Sequence, residues 1–222
     1  MHATQVAKKA KGLSIRFLIV AAVFLLFLFV FIVIANEMVL ENEDQLDAVV
    51  FNQVARITNP SLTLLMRVIT IFGSTYFLLP AYLLLVSYFL FFKNNRRLSL
   101  DVAAIGITST IVLFTLKAIF HRYRPINPLV MNVNGYSFPS GHSFCSFTFF
   151  GLLIYILWKD EMDPILRWIL TVLFFLFATV IAFSRVYLHV HYASDVVAGF
   201  CMCSLWLGIS LWVLNKLNRK LQ

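Results

Sequence analysis

Residues 184–195 read SRVYLHVHYASD, an arginine, two histidines and an aspartate set between apolar stretches at about 165–183 and 195–214. Each flank is close to the roughly 20 residues that an α-helix needs to cross a hydrocarbon core. A Lys or Arg at the bilayer centre costs about 2.5 to 3.5 kcal/mol on insertion scales, so the polar island must sit at an interface or line a polar cavity. The stretch therefore marks the turn between two membrane crossings and a place where charge is kept for a purpose.

Further apolar spans lie outward of it, at about 15–35, 74–92, 99–119 and 142–158. Six crossings predict an all-α, polytopic membrane protein forming a single domain over residues 1–222. The composition agrees, with 61% hydrophobic residues against 13% charged ones, and excludes an ordinary water-soluble domain. The first span is laid out like a secretory signal, but its core is too long and no small-x-small cleavage site follows, so it reads as a retained helix. Cys145, Cys201 and Cys203 fall in apolar stretches without CxxC spacing. They predict neither a disulfide framework nor a zinc site, and read as packing residues.

A net charge of +8 could suggest nucleic acid, yet the basic residues stand in short clusters beside the spans. That pattern is topology, and no nucleic-acid partner is expected. The basic N-terminus at 1–14 with Arg16, the loop holding Lys93, Arg96 and Arg97, the turn with Lys159 and Arg167, and the tail with Lys216, Arg219 and Lys220 place 12 of 18 basic residues on one side. This side is expected to be cytoplasmic, with both termini on it. Residues 36–73 then form an outer-face segment, acidic at Glu37, Glu41, Glu43, Asp44 and Asp47. Leu46, Val49, Val50, Val54 and Ile57 recur at helical spacing beside Asp47, Asn52, Gln53 and Arg56, which predicts an amphipathic helix. Asn59-Pro60 ends it and opens a second helix with Leu64, Leu65, Val68 and Phe72 as its apolar set. Both are expected along the membrane surface.

Three polar segments meet the same outer face: LKAIFHRYRP (116–125), FPSGHS (138–143) and the opening SRVYLHVHYASD. Lys117, Arg124 and Arg185 offer fixed positive charge and forked donors, which suit the peripheral oxygens of a phosphoryl group. Ser140 and Gly141 lie where the fourth membrane helix starts, so free N–H groups and the positive helix end can join the same anion site. His191 and Asp195 are four apart and share a face if the chain is already helical there, letting the carboxylate hold an imidazole N–H. With His142 added, one histidine can attack phosphorus while the other protonates the departing oxygen. This inventory requires no metal and no other cofactor. Singly, each segment has a plainer reading as a basic anchor, a helix cap or a structural His–Asp pair; their conjunction on one face is what those readings explain poorly. His121 and His189 read as interfacial residues, with substrate contact the lesser alternative, and Arg122 reads as a solvated interfacial arginine ahead of one that helps a second phosphate or head group.

The spacings Lys-x6-Arg-Pro (Lys117 to Arg124-Pro125), Pro-Ser-Gly-His (Pro139 to His142) and Ser-Arg-x5-His-x3-Asp (Ser184-Arg185 to His191 and Asp195) resemble those of the type 2 phosphatidic acid phosphatase family, which shares its core with vanadium-dependent haloperoxidases. The resemblance implies a metal-independent lipid phosphatase with its catalytic motifs in residues 117–195. His191 would be the nucleophile, Asp195 its orienting partner, and His142 the acid that later activates water. Lys117, Arg124, Arg185, Ser140 and the Gly141 backbone would bind the phosphate. The implied partners are a lipid substrate and the bilayer of the cell membrane, with the site on the periplasmic or extracellular side. Phosphatidate, phosphatidylglycerol phosphate, undecaprenyl pyrophosphate and a lipid A phosphate are all family substrates, with undecaprenyl pyrophosphate or phosphatidylglycerol phosphate favoured by the family's usual bacterial roles. A phosphotransferase would use the same residues; a non-catalytic lipid-binding protein would be expected to have lost one of them.

Overall fold

The computed structural model describes residues 2–40, 45–131 and 133–220. Glu41, Glu43 and Asp44 lie outside the described residues, as do the side chains of Lys8, Lys9, Lys11, Arg16, Arg219 and Lys220. The regular structure is helical throughout the described residues: α1 (His2–Val33, continued by a π-helical stretch Ile34–Leu40), α2 (Gln45–Ile57), α3 (Pro60–Ile71), α4 (Thr75–Ser87, continued by a π turn Tyr88–Phe92), α5 (Arg96–Phe120), α6 (Gly141–Lys159), α7 (Pro164–Tyr187) and α8 (Ala193–Lys220). Among the described residues, six stretches are long and apolar enough to cross a membrane: Phe17–Val39, Pro60–Phe92, Arg96–Phe120, Gly141–Lys159, Pro164–Tyr187 and Ala193–Asn218.

Local chemistry sets the helix ends. Asn59 caps α3 by accepting from Leu62 N–H at 2.9 Å, with Pro60 in the first turn where its missing N–H costs nothing. Asn95 caps α5 through Leu98 N–H, and Asp163 caps α7 through the N–H groups of Ile165 and Leu166. At the C-terminus of α5, His121 takes a left-handed conformation (φ 49°) and its N–H returns to Lys117 O. That turn sends the chain back over the helix end it has just left.

Helix α6 is the centre of the bundle. It packs against α5, α7 and α8, while α1 covers α8, α3 covers α7 and α4 packs on α5. Its buried side chains mix Ser143, Ser146 and Thr148 with Phe144, Phe149, Phe150 and Leu152. Small residues permit close helix approach where lipid provides no hydrophobic drive, and Thr148 satisfies its hydroxyl on Phe144 O at 2.7 Å. The outward faces are apolar, for example Phe17, Val20 and Phe29 on α1 and Ile107, Ile111 and Phe114 on α5, as a lipid-facing surface must be.

Helices α2 and α3 form where the sequence predicts them, with two details added. The second crossing, expected at about 74–92, lies inside a longer apolar stretch, Pro60–Phe92, that takes in α3 and counts as one candidate span by length and composition. On α2, Leu46, Val49 and Ile57 are exposed, whereas Val50, Phe51 and Val54 pack on Val186, Tyr187 and Val190, and Asp47 is buried one turn before Val50. The inward stripe is 47, 50, 54, a helical spacing that carries an acid at its head. The α3–α4 break is held by Gly73: a Cβ there would stand 2.5 Å from Ile181 Cγ2 and 3.0 Å from the His142 ring.

Candidate active site

The three polar segments converge at one end of α5, α6, α7 and α8. The 121–140 loop is closed across its ends by Ser137 N–H to Arg122 O (2.8 Å) and tied at its middle by Leu129 N–H to Leu188 O (2.9 Å). Ser140 N–H donates to Asp195 O at 3.0 Å, which joins the start of α6 to the start of α8. Gly199 allows that approach, since a Cβ there would lie 3.0 Å from Ser140 O.

His191 does not sit in a helix. It occupies the turn before α8, and its contact with Asp195 is made across a helix N-terminus and not along a helical face. Asp195, in the first turn of α8, reaches back to accept from Tyr192 N–H at 2.9 Å, as the third residue of a capping box does. Its Oδ2 also accepts from the Ser137 hydroxyl and faces His191 Nδ1 at 3.5 Å. Ser137 Oγ is 3.2 Å from the same Nδ1. At the other side of the ring, Arg124 Nη1 stands 3.2 Å from Nε2. A guanidinium can only donate, so Nε2 carries the lone pair and the proton is on Nδ1, passed toward Asp195 directly and through Ser137. Burial lowers the His191 pKa to about 3 against the opposing pull of Asp195, keeping the ring neutral with a lone pair aimed at the cations.

Arg124 alone touches that lone pair; Lys117 and Arg185 lie at the same end of the bundle, near His142, and among the described residues none of the three cations forms an ion pair. Lys117 Nζ donates to Tyr136 O at 2.7 Å. Arg124 donates to the carbonyls of Gly135 (2.9 Å), Asn134 (3.1 Å) and Val190 (2.8 Å). Arg185, 6% exposed, gives one Nη1 hydrogen bond to Thr70 Oγ1 at 2.6 Å, and its Nε is buried with no acceptor. Such charge is stabilised only partly by neutral dipoles and favours an incoming anion. His142 opens α6 with Arg185, His191, Arg124 and Lys117 as its electrostatic neighbours. Gly141 lies against Leu113 and Lys117, and its N–H, like that of His142, is at the helix start where no intrahelical acceptor exists. Ser140 is the exception among the expected contacts: its hydroxyl is fully buried and accepts from Ser143 N–H as the N-cap.

Several contributors have no place in the sequence pattern. Arg122, expected to be solvated, is only 8% exposed and bonds Asp195 Oδ1 (2.7 Å), Ser194 Oγ (2.7 Å) and Asp47 Oδ2 (2.9 Å), with its guanidinium 4.0 Å over the Tyr192 ring. Asp47, Ser137 and Thr70 likewise enter from positions between or before the motifs. The signal that could have found Asp47 is its place on the inward stripe with Val50 and Val54. His189 turns at φ 54° and packs at a tilt on Phe51, ring centroids 5.0 Å apart, with Nε2 buried, while His121 remains exposed beside Tyr136.

The family pattern described as the PAP2 superfamily matches residues 98–219. Phosphatidylglycerophosphatase B of Bacillus subtilis is 29% identical over 194 residues, covering 86% of this chain and 91% of that protein. Dolichyldiphosphatase of Saccharomyces cerevisiae is 33% identical over 144 residues, covering 60% of this chain and 59% of its own length. The crystal structure of a transmembrane PAP2 type phosphatidylglycerolphosphate phosphatase from Bacillus subtilis superposes with a TM-score of 0.75 at 26% identity, covering 91% of this chain and 97% of that one. Six spans, a cationic end and a histidine held in one tautomer thus occur in a chain that belongs to the PAP2 superfamily, as one of its membrane-bound lipid phosphatases.

Proposed function

We propose that the protein removes phosphate from a membrane lipid mono- or diphosphate through a phosphohistidine at His191. The observation that carries this is the neutral His191, its Nε2 lone pair on Arg124, one of three cations at this end of the bundle that have no carboxylate partner, and its Nδ1–H backed by Asp195. The terminal phosphoryl group binds among Lys117, Arg124, Arg185 and the Gly141 N–H, with Ser140 holding the loop that presents that N–H. Arg124 then leaves Nε2 for a phosphoryl oxygen. Nε2 attacks phosphorus, the P–O bond to the lipid breaks, and the departing oxygen takes a proton from His142. Asp195 stabilises the positive charge that forms on the His191 ring. In the second half His142 takes a proton from water, the water oxygen attacks phosphorus, the P–N bond breaks, and inorganic phosphate leaves.

The lipid tail stays in the bilayer while the head group enters at the outer interface. The substrate class is a polyprenyl diphosphate such as undecaprenyl pyrophosphate, or phosphatidylglycerol phosphate; the similar proteins are named for dolichyl diphosphate and phosphatidylglycerophosphate. The whole chain is read as one domain with both termini cytoplasmic, and α2 as lying along the outer surface with Leu46, Val49 and Ile57 toward lipid. A membrane-impermeant thiol reagent applied to intact cells should label Asn134→Cys and spare Asn94→Cys; the reverse pattern would invert this topology.

The deciding assay is phosphate release by purified protein in detergent with EDTA, from phosphatidate, phosphatidylglycerol phosphate, undecaprenyl pyrophosphate and a lipid A phosphate. Release from at least one lipid, lost by about 10⁴-fold in His191→Gln, is expected. Residual activity in that variant, or activity that EDTA abolishes and a divalent ion restores, contradicts the proposal.

A further inference from the structure

Asp195 has two carboxylate oxygens, and only one of them faces the histidine. Oδ2 receives Ser137, Tyr192 N–H and His191, while Oδ1 is taken by Arg122 at 2.7 Å. Arg122 does not end there: its second amino group goes to Asp47 Oδ2 at 2.9 Å. Asp47 is 1% exposed, and it also binds the start of α8, accepting Ser194 N–H on Oδ1 (2.9 Å) and the Ser194 hydroxyl on Oδ2 (2.6 Å). An acid on α2, 147 residues earlier in the chain, therefore caps the helix that carries Asp195.

We infer that Asp47 and Arg122 are positioning residues for the reaction, a buried acid–base pair that fixes the orientation and the effective charge of Asp195 behind His191. The charge count gives the reason. An arginine alone against Asp195 would neutralise it and leave a poor stabiliser for the positive ring that forms when His191 bonds to phosphorus. With Asp47 sharing Arg122, the group of Asp47, Arg122 and Asp195 carries a net charge of −1, and the ring's positive charge brings it to zero. Geometry adds to this: Arg122 is held at both ends and over the Tyr192 ring, so the Asp195 carboxylate cannot rotate away from Nδ1. Helix α2 thereby becomes part of the catalytic apparatus without touching substrate.

The inference rests on the phosphohistidine reading, and its test separates the two. Asp47→Asn keeps the shape and removes the charge. In detergent, with the lipid of the four-member panel that the unmodified protein hydrolyses fastest, kcat should fall about tenfold or more, as for other residues that orient a working histidine, with KM within about twofold. In ¹⁵N-histidine-labelled protein, the His191 signals, assigned by their loss in His191→Gln, should move away from a pure Nδ1–H tautomer. The double variant Asp47→Asn/Arg122→Gln frees Asp195 from a full positive charge and should recover part of the lost kcat. It also decides the matter if Asp47→Asn alone does not fold. A folded Asp47→Asn with unchanged kcat and unchanged ring shifts, beside an inactive His191→Gln, would overturn this inference and leave the phosphohistidine reading standing. An active His191→Gln would remove both.

Discussion

The α5–α8 half and the α2–α3 segment build the same site by different means. In the former, Lys117, Arg124, His142, Arg185, His191 and Asp195 all lie at helix ends or in the turns between them, where fixed sequence spacing brings them together. In the latter, Asp47 and Thr70 sit inside helices and reach the site only because α2 and α3 pack on α7 and α8. One region supplies the groups proposed to face substrate; the other holds Arg185 and, through Arg122 and Ser194, the start of α8. The difference is that spacing along a chain can specify a helix end but not a partner more than a hundred residues away.

Substitutions can break this division, starting with the region that faces substrate. His142→Ala should lower phosphate release by about 10² to 10⁴-fold, the range for loss of a general acid or base, because both half-reactions pass a proton through it. Activity within about twofold of the unmodified protein would remove His142 from the mechanism.

Next in size is the joint between the regions. Arg122→Leu leaves Asp47 and Asp195 buried with their shared cation gone, and breaking such a pair costs about 3 to 5 kcal/mol. Denaturation in detergent should show the loss; a variant as stable as the unmodified protein would mean that solvent reaches both carboxylates.

The His191 environment predicts a pH signature. Its pKa is held near 3 when folded, below the ordinary histidine value near 6.5, so between those limits the unfolded chain binds the proton and the folded one does not. Stability should therefore fall as pH drops from about 6.5 to about 3, and His191→Gln should lose less over that window. Identical profiles would mean that the ring is not held neutral. The smallest effect is expected at Thr70→Val, which deletes the acceptor of Arg185. Arg185 should remain in place but less well oriented, raising KM a few-fold with kcat nearly unchanged, in keeping with about 1.5 kcal/mol for a hydrogen bond to a charged group.

The six crossings were legible because each needs a long apolar run, and the motif residues because their spacings recur as fixed patterns at helix ends. Arg122 was misread because nothing in HRYRP distinguishes an arginine that faces water from one that faces a carboxylate. Asp47 was misread because the apolar set Leu46, Val49, Val50, Val54 and Ile57 left it in the polar set with Asn52, Gln53 and Arg56. Only tertiary packing decides which stripe of α2 turns inward. The His191–Asp195 contact was anticipated for a helical face, yet a helix N-terminus makes it, with Ser137 interposed from a loop whose path no local signal sets.

The central claim is a covalent bond between His191 and phosphorus. Protein incubated briefly with lipid carrying ³²P in its terminal phosphate, then quenched in alkali, should retain a label that is stable to base and labile to acid, and that maps to the peptide holding His191. Label on His142 instead, or none in protein that is releasing phosphate, would contradict the account.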